Sequence, residues 1–478
     1  MDLHHGGWAR EVDAELRLSQ GKLPEGLAGT LYRNGPGNHL SDYVIDGDGL
    51  VSAVTFTPGR PVRVRSRYVR TPSYAAALGA RAAGRDGAPS GDGPPVRLGG
   101  ANAAGGRLRN ALRLPASQAN TSVAMIDGRL LALWEADLPW ELEPGSLATL
   151  GRCDLDGAVG PSGAVGRRLG SPYSAHPCWD PATAELWNFG CVYGPRPSLE
   201  IYRTRKGGPT ERLRSIRLPR RHMVHDFAMT ATHLVFCLGP VVLDMPAMMS
   251  GRLTTFEAMR WHGDQPTRIL LVPRAGGPFR VVETDPWFQW HFAGAYDDGA
   301  DIVFDLVRFR SWTVMHEALS SLSHLTDASC SPVGRLWRYR VGPSGKVEGH
   351  QIHSLPLEFP TIDPRLATTA HRDVYGAAAT EPGFGVAFSA VARYDTERGE
   401  ADIHDYGPGH LVSEPLFVPG DPGRPDGRGW LIAYENEIAA GATNIVIFDA
   451  GAVADGPVCT LPVPESLGYT FHGQWVQA

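Results

Sequence analysis

Short runs of apolar or alternating residues recur along the whole chain, among them Leu130–Trp134, His233–Leu238, Arg268–Val272, Asp301–Val307, Trp430–Tyr434 and Asn444–Phe448. Their lengths are those of strands, and turn clusters such as Asp298-Gly299, Asp154–Gly157, Gly342–Gly345 and Gly420–Gly429 separate them. No regular helical segments intervene, so βαβ units are not expected and an antiparallel, all-β protein of several small sheets is. Arranging such sheets radially, as a β-propeller, leaves few unpaired edges, although no clean internal repeat is visible. Two stretches break the pattern: Ala75–Gly106, rich in Ala, Gly and Pro, reads as a long insertion, and Leu238–Arg260 as a loosely helical apolar patch. Both are expected to cap one face of a single domain spanning residues 1–478.

Composition adds to this picture mainly by exclusion. The 57 glycines and 39 prolines are spread without a period, which fits many turns between short elements. With 42% hydrophobic and 20% charged residues the chain can bury a large core. A formal net charge of −6 gives no footprint for nucleic acid, and the basic run Arg217–Arg221 reads as a solvated turn. The six cysteines form no CxxC pair, so a reduced, cytoplasmic setting is expected. The first residues turn acidic before an apolar run can form, and no apolar stretch is long enough to span a membrane.

Candidate chemistry lies in the histidines. Of seventeen, four sit among apolar or aromatic neighbours: Ser174-Ala175-His176-Pro177, Val224-His225-Asp226-Phe227, Trp290-His291-Phe292-Ala293 and Phe471-His472-Gly473-Gln474. A buried imidazole must satisfy both nitrogens or lose roughly 1–3 kcal/mol per orphaned group, and a shared metal satisfies one nitrogen of each. Their wide spacing excludes a local finger and suits ligands delivered by separate sheets to one axis. An all-imidazole set accepts Fe, Cu, Zn or Ni, so the residues alone leave the metal open. Ligating histidines usually donate their second N–H to a carboxylate, and Glu135, Glu358 and Glu414 stand in apolar runs suited to that task. The opposing reading is a propeller used as a non-catalytic scaffold, with ordinary core histidines and half-exposed glutamates.

The flanking motifs resemble those of the carotenoid cleavage oxygenase family over nearly the whole chain. They are Gly29-Thr-Leu-Tyr-Arg33-Asn-Gly-Pro36, Asp46-Gly-Asp48-Gly, Ala175-His176-Pro177 with Asp180-Pro-Ala-Thr, His225-Asp-Phe-Ala-Met-Thr230, His291-Phe-Ala-Gly-Ala-Tyr, Glu358-Phe-Pro, Ser413-Glu-Pro-Leu-Phe-Val-Pro419 and Phe471-His-Gly-Gln-Trp475. The resemblance implies a seven-bladed β-propeller with a loop and helix cap over its top face. It also implies one axial Fe(II) per chain, held by His176, His225, His291 and His472, with Glu135, Glu358 and Glu414 bonded to three of them and no organic cofactor. The implied reaction cleaves a C=C bond of an apocarotenoid or carotenoid polyene with O2, giving two carbonyl products. Stilbene or phenylpropene cleavage, and non-oxidative isomerohydrolase chemistry, are the alternatives within the fold.

Departures from the family pattern concern the substrate rather than the ligands. Tyr43-Val44-Ile45 replaces the usual His-Trp-Phe, and Gly294 stands where an asparagine often follows the third ligand. The lysine of the stilbene-cleaving branch is replaced by Trp134, which favours a linear polyene over a phenol. Trp134, Trp290 and Phe359 resemble tunnel positions, and strand alternation adds Cys178, Met223 and Thr470 as residues facing the metal cavity. The Met-rich segment 240–249 is expected to make peripheral membrane contact, and the protein is expected to act as a monomer.

Overall fold

Seven antiparallel sheets surround one axis, and each contributes an inner strand: Ser122–Ile126, Cys178–Asp180, Ala228–Met229, Phe288–Asp298, Leu357–Thr361, Leu416–Pro419 and Gly473–Gln477. This is the all-β, seven-bladed propeller that the chain pattern and its motifs predicted. The computed structural model describes residues 8–38, 47–82, 117–159, 172–249, 253, 256–313, 316, 334–380, 388–421, 423–425 and 427–478, without the side chains of Ala80, Met248 and Met249. The strand runs read from the sequence fall inside observed strands or within a residue of them, as His233–Leu238, Thr267–Pro273 and Asp301–Phe309 illustrate.

Pattern and position agree blade by blade. The strand Val62–Tyr68, next to the outer edge of its sheet, buries Val62, Val64, Ser66 and Tyr68 and turns Arg63, Arg65 and Arg67 outward. The strand Gly429–Glu437 has neighbours on both faces and reads as a continuous buried run, Leu431-Ile432-Ala433-Tyr434. Neighbouring blades share apolar layers. Trp187, Phe189 and Ile201 of one meet Phe227, Leu234 and Phe236 of the next, and truncating such an aromatic to Ala costs about 3–5 kcal/mol.

The ring is closed twice. Gly473–Gln477 pairs antiparallel with Gly29–Arg33, placing Gly473 opposite Arg33, and Gln20–Gly21 joins the edge of the sheet containing Cys459–Val463. Residues from both ends of the propeller therefore share two sheets.

Two segments stand outside the blades. A helix, Pro72–Ala82, opens the stretch read as an insertion; residues 83–106 of that stretch lie outside the described residues, as do Tyr43, Val44 and Ile45. The patch expected to be loosely helical is instead a small sheet, Val241–Leu243 against Met259–Trp261, with one short helix, Met245–Met249, between its strands. The β-favouring run Val241-Val242-Leu243 accounts for the difference. Val241, Leu243 and Ala247 pack inward, so among the described side chains of 240–249 Val242, Met245 and Pro246 remain for an apolar surface. No helix among the described residues is long and apolar enough to cross a membrane.

Candidate metal centre

Four imidazoles converge where the inner strands meet. His176 and His225 lie just ahead of Cys178–Asp180 and Ala228–Met229, His291 within Phe288–Asp298, and His472 immediately before Gly473–Gln477. One ring nitrogen from each falls within 4.8 Å of all the others. Nε2 of His225 stands 3.0 Å from Nε2 of His176 and 3.1 Å from Nε2 of His291.

Local backbone devices aim these side chains. Pairing of Phe288–Asp298 with its neighbour slips between Gln289 and Phe292, so an extra residue bulges at the third imidazole. A second slip, between Glu358 and Thr361, does the same in the adjoining blade, where Phe359 takes a left-handed φ of 53° and donates its N–H to Glu358 Oε2 at 2.6 Å. Proline after His176 holds that residue extended. His472 is gripped through its backbone: its N–H donates to Thr121 O at 3.3 Å, and its carbonyl accepts from Asn34 N–H at 3.0 Å.

Carboxylates occupy the far side of three rings. Glu358 Oε2 accepts from His291 Nδ1 at 2.5 Å, Glu414 Oε1 accepts from His472 Nδ1 at 2.9 Å, and Glu135 Oε1 is in contact with His225 Nδ1. These contacts assign the proton of each ring to Nδ1 and leave Nε2 as a bare acceptor. His176 differs. Its nearest carboxylate, Asp226, is 3.9 Å from Nδ1, beyond hydrogen-bonding reach. Asp226 instead accepts from the backbone N–H of Phe227 at 2.7 Å and of Phe292 at 2.8 Å, tying the second and third ligand segments together.

The electrostatics follow from burial. Burial, reinforced by the three neighbouring imidazoles, holds His176 well below the usual histidine range. Burial also lowers His472, with Glu414 opposing; at His291 burial pulls the same way but Glu358 outweighs it, and the value rises. Burial pushes Asp226 up to about 6. Glu414 stays below the ordinary carboxylate value despite its burial, because His472 and Arg33 face it.

This donor set fits a divalent transition metal. With both Nδ1 atoms engaged, His225 and His291 meet lone pair to lone pair at 3.1 Å, an arrangement a shared cation stabilises and two neutral rings alone do not. Ligands at right angles and about 2.1 Å from a metal would be about 3.0 Å apart, against about 3.4 Å for a tetrahedral set. The two spacings at His225 Nε2 match the former. A +2 ion also offsets the buried carboxylates, whose charge is otherwise costly in an apolar interior.

The side chains expected to meet substrate separate into two groups. Trp290 lies edge-on to His225, with ring centroids 4.6 Å apart, and Phe359 stacks on His291 at 5.4 Å while meeting His472 edge-on at the same separation. Trp134 precedes Glu135 in the turn after Arg129–Leu133, half-buried. Met223 shares an apolar cluster with Trp290 and Tyr193, and its sulfur accepts from the Tyr193 hydroxyl at 3.8 Å. Cys178 and Thr470 have other partners. Cys178 packs into the layer between two blades, its thiol 3.8 Å from Phe227 O, and Thr470 is 2% exposed with its hydroxyl taken by Arg33 at 3.0 Å. His176, His225 and His472 all precede their strands, so the two-residue period does not by itself orient Cys178, Met223 or Thr470. Sequence reasoning overlooked Arg33, Thr121, Tyr193 and Asp226 as parts of the site; the charged residue closing the apolar run Gly29–Arg33 was the one available signal.

The chain has relatives over nearly its whole length. The family described as retinal pigment epithelial membrane protein matches residues 8–477. Apocarotenoid-15,15'-oxygenase of Synechocystis is 30% identical over 483 residues, covering 98% of this chain and 94% of that protein. Isoeugenol monooxygenase of Pseudomonas nitroreducens is 27% identical, covering 95% and 93%. Cobalt-substituted Synechocystis ACO superposes with a TM-score of 0.84 at 29% identity, covering 99% of this chain and 98% of that one. The chain belongs to the carotenoid cleavage oxygenase family and is an enzyme of the carotenoid-cleavage dioxygenase type.

Proposed function

We propose that the protein binds one Fe(II) through His176, His225, His291 and His472 and uses O2 to cleave a C=C bond of an apocarotenoid, giving two aldehydes. The observation that carries this reading is the 3.1 Å approach of His225 Nε2 to His291 Nε2 while both rings are engaged through Nδ1. Fe(II) bound there supplies the one-electron chemistry that lets O2 react with a closed-shell alkene. One double bond and one O2 yield two carbonyls with one oxygen atom in each, so no organic cofactor, reductant or proton donor is required.

The chain's own groups bind and orient. Glu135, Glu358 and Glu414 keep the imidazole protons on Nδ1 and fix the ring planes. Trp290 and Phe359 put aromatic faces and edges beside the imidazoles, a dry surface on which a flat conjugated chain can lie. Trp134, in place of an ammonium before Glu135, offers nothing to hold a phenolate, which favours an apocarotenoid over the phenylpropenes or stilbenes of other relatives. The four histidines and three glutamates of the site all belong to one chain, so a monomer suffices. Membrane contact through 240–249 would rest on Val242, Met245 and Pro246, and liposome co-sedimentation unchanged when Val242 and Met245 are both made Ser would remove it from the proposal.

Anaerobic Fe(II) loading followed by O2 tests the reading against a panel of apocarotenals, full-length carotenoids, isoeugenol and resveratrol. The expected result is O2 uptake and two aldehydes from an apocarotenal, each carrying label from isotopic O2. Turnover of the phenolic substrates alone would overturn the polyene assignment, and a protein that takes up no iron would overturn the metal assignment.

A further inference from the structure

We propose that Arg33 is a positioning residue for the fourth imidazole, fixing the Glu414–His472 pair on which the metal reading above relies. The guanidinium is wholly buried, 0% exposed, and each nitrogen reaches the segments that deliver that pair. Nε donates to Thr470 Oγ1 at 3.0 Å, Nη1 to Glu414 O at 2.7 Å and Nη2 to Phe471 O at 2.8 Å. Nη2 also lies 3.9 Å from Glu414 Oε2, an oxygen that accepts from Gly473 N–H at 3.0 Å. Tyr434 closes the remaining side, its ring 5.2 Å from the guanidinium carbon.

This arrangement sets His472 apart. Among the described residues, Glu135 and Glu358 have no Arg or Lys within ion-pair distance, whereas Glu414 has Arg33. The difference has a structural origin. All three pairs join separate blades, but only the His472 segment enters its strand directly opposite an arginine, Gly473 pairing with Arg33. A planar fork of donors can hold two carbonyls and a hydroxyl in fixed relation, which a lysine cannot. The neighbouring residues are built around the same contact: Asn34 Nδ2 bonds Ala119 O and Ser122 O at 2.8 and 2.9 Å, and any Cβ at Gly35 would stand 2.6 Å from Tyr469 O. The motif Gly29–Pro36 therefore acts on the metal centre from the opposite end of the sequence.

Co(II) binding to the full-length protein provides the test, read by chelator competition and by the visible ligand-field spectrum, neither of which depends on turnover. Arg33→Lys is expected to weaken Co(II) about 10–100-fold, the usual consequence of disturbing a ligand's hydrogen-bond partner, and to alter the spectrum. Tyr434→Phe keeps the ring beneath the guanidinium but removes the hydroxyl bonded to Ser52 at 3.0 Å; it is expected to lower the unfolding midpoint while leaving affinity and spectrum unchanged. Should Arg33→Lys fail to fold, Thr470→Val, which removes only the acceptor of Nε, takes its place with the same expectation. Wild-type affinity and spectrum in the folded Arg33 or Thr470 variant, or an equal loss in Tyr434→Phe, would overturn the inference. Failure of the wild type to bind Co(II) would instead overturn the metal reading itself.

Discussion

Two buried histidine–carboxylate pairs lie close together beside the strand Phe288–Asp298 and do different things. In the first, His291 Nδ1 meets Glu358 and leaves Nε2 facing other imidazoles. In the second, His371 Nε2 bonds Asp305 Oδ2 at 3.0 Å, its Nδ1 faces Thr369 O at 3.4 Å, and Asp305 is also held by Arg338 at 2.8 and 2.7 Å through both oxygens. Gly294, three residues beyond His291, permits this packing, since a Cβ there would stand 2.9 Å from the His371 ring. The second pair is complete within the protein. The first leaves an imidazole nitrogen facing other imidazoles, and on the proposed function that contrast separates a structural support from a metal centre.

The contrast can be broken by substitution. His225→Ala should remove both bound iron and turnover, measured by metal analysis and O2 uptake, while the metal-free protein keeps its unfolding free energy within about 1 kcal/mol; stoichiometric iron with full activity would end the four-histidine assignment. Asp305→Ala should do the reverse. Leaving Arg338 and His371 buried without their anion costs about 3–5 kcal/mol of stability in denaturant unfolding, yet iron per folded chain should not change.

Smaller effects sharpen the distinction. Glu358→Gln keeps an acceptor beside His291 but removes its charge, so metal affinity should fall about 10–100-fold with little change in stability; an unchanged affinity would make that carboxylate a bystander. The pairs also differ in pH response. Burial raises the Asp305 value, but the bonds and charges of Arg338 and His371 outweigh it and hold the carboxyl below its ordinary 3.8. Because the folded value is the lower one, the stability it contributes is present above about pH 4 and lost as pH falls through the folded value. Asp305→Asn should therefore show a shallower loss of stability between pH 5 and pH 3 in unfolding titrations, and a slope equal to wild type would assign acid sensitivity elsewhere.

The sequence singled out the four histidines that cluster because each stands in a short apolar context, and it carried the propeller because strand runs and turn clusters alternate throughout. Direction was harder to read. Thr470 and Cys178 were expected to face the cavity, yet a residue ahead of a strand, or beside a bulge, obeys no two-residue period. Val241-Val242-Leu243 formed a strand where an apolar patch suggested helix, since short apolar runs do not distinguish the two. Arg33 could not be placed at all from its own surroundings. Its partners lie at Glu414, Thr470 and Phe471, and only ring closure brings them together.

That closure has a consequence for synthesis. His472 belongs to the segment whose strand zips onto Gly29–Arg33, so no ribosome-bound chain can assemble the four-imidazole cluster before its seventh blade has emerged. Such pairing between distant residues is intrinsically slow. The four-imidazole cluster is thus completed in the same event that seals the ring.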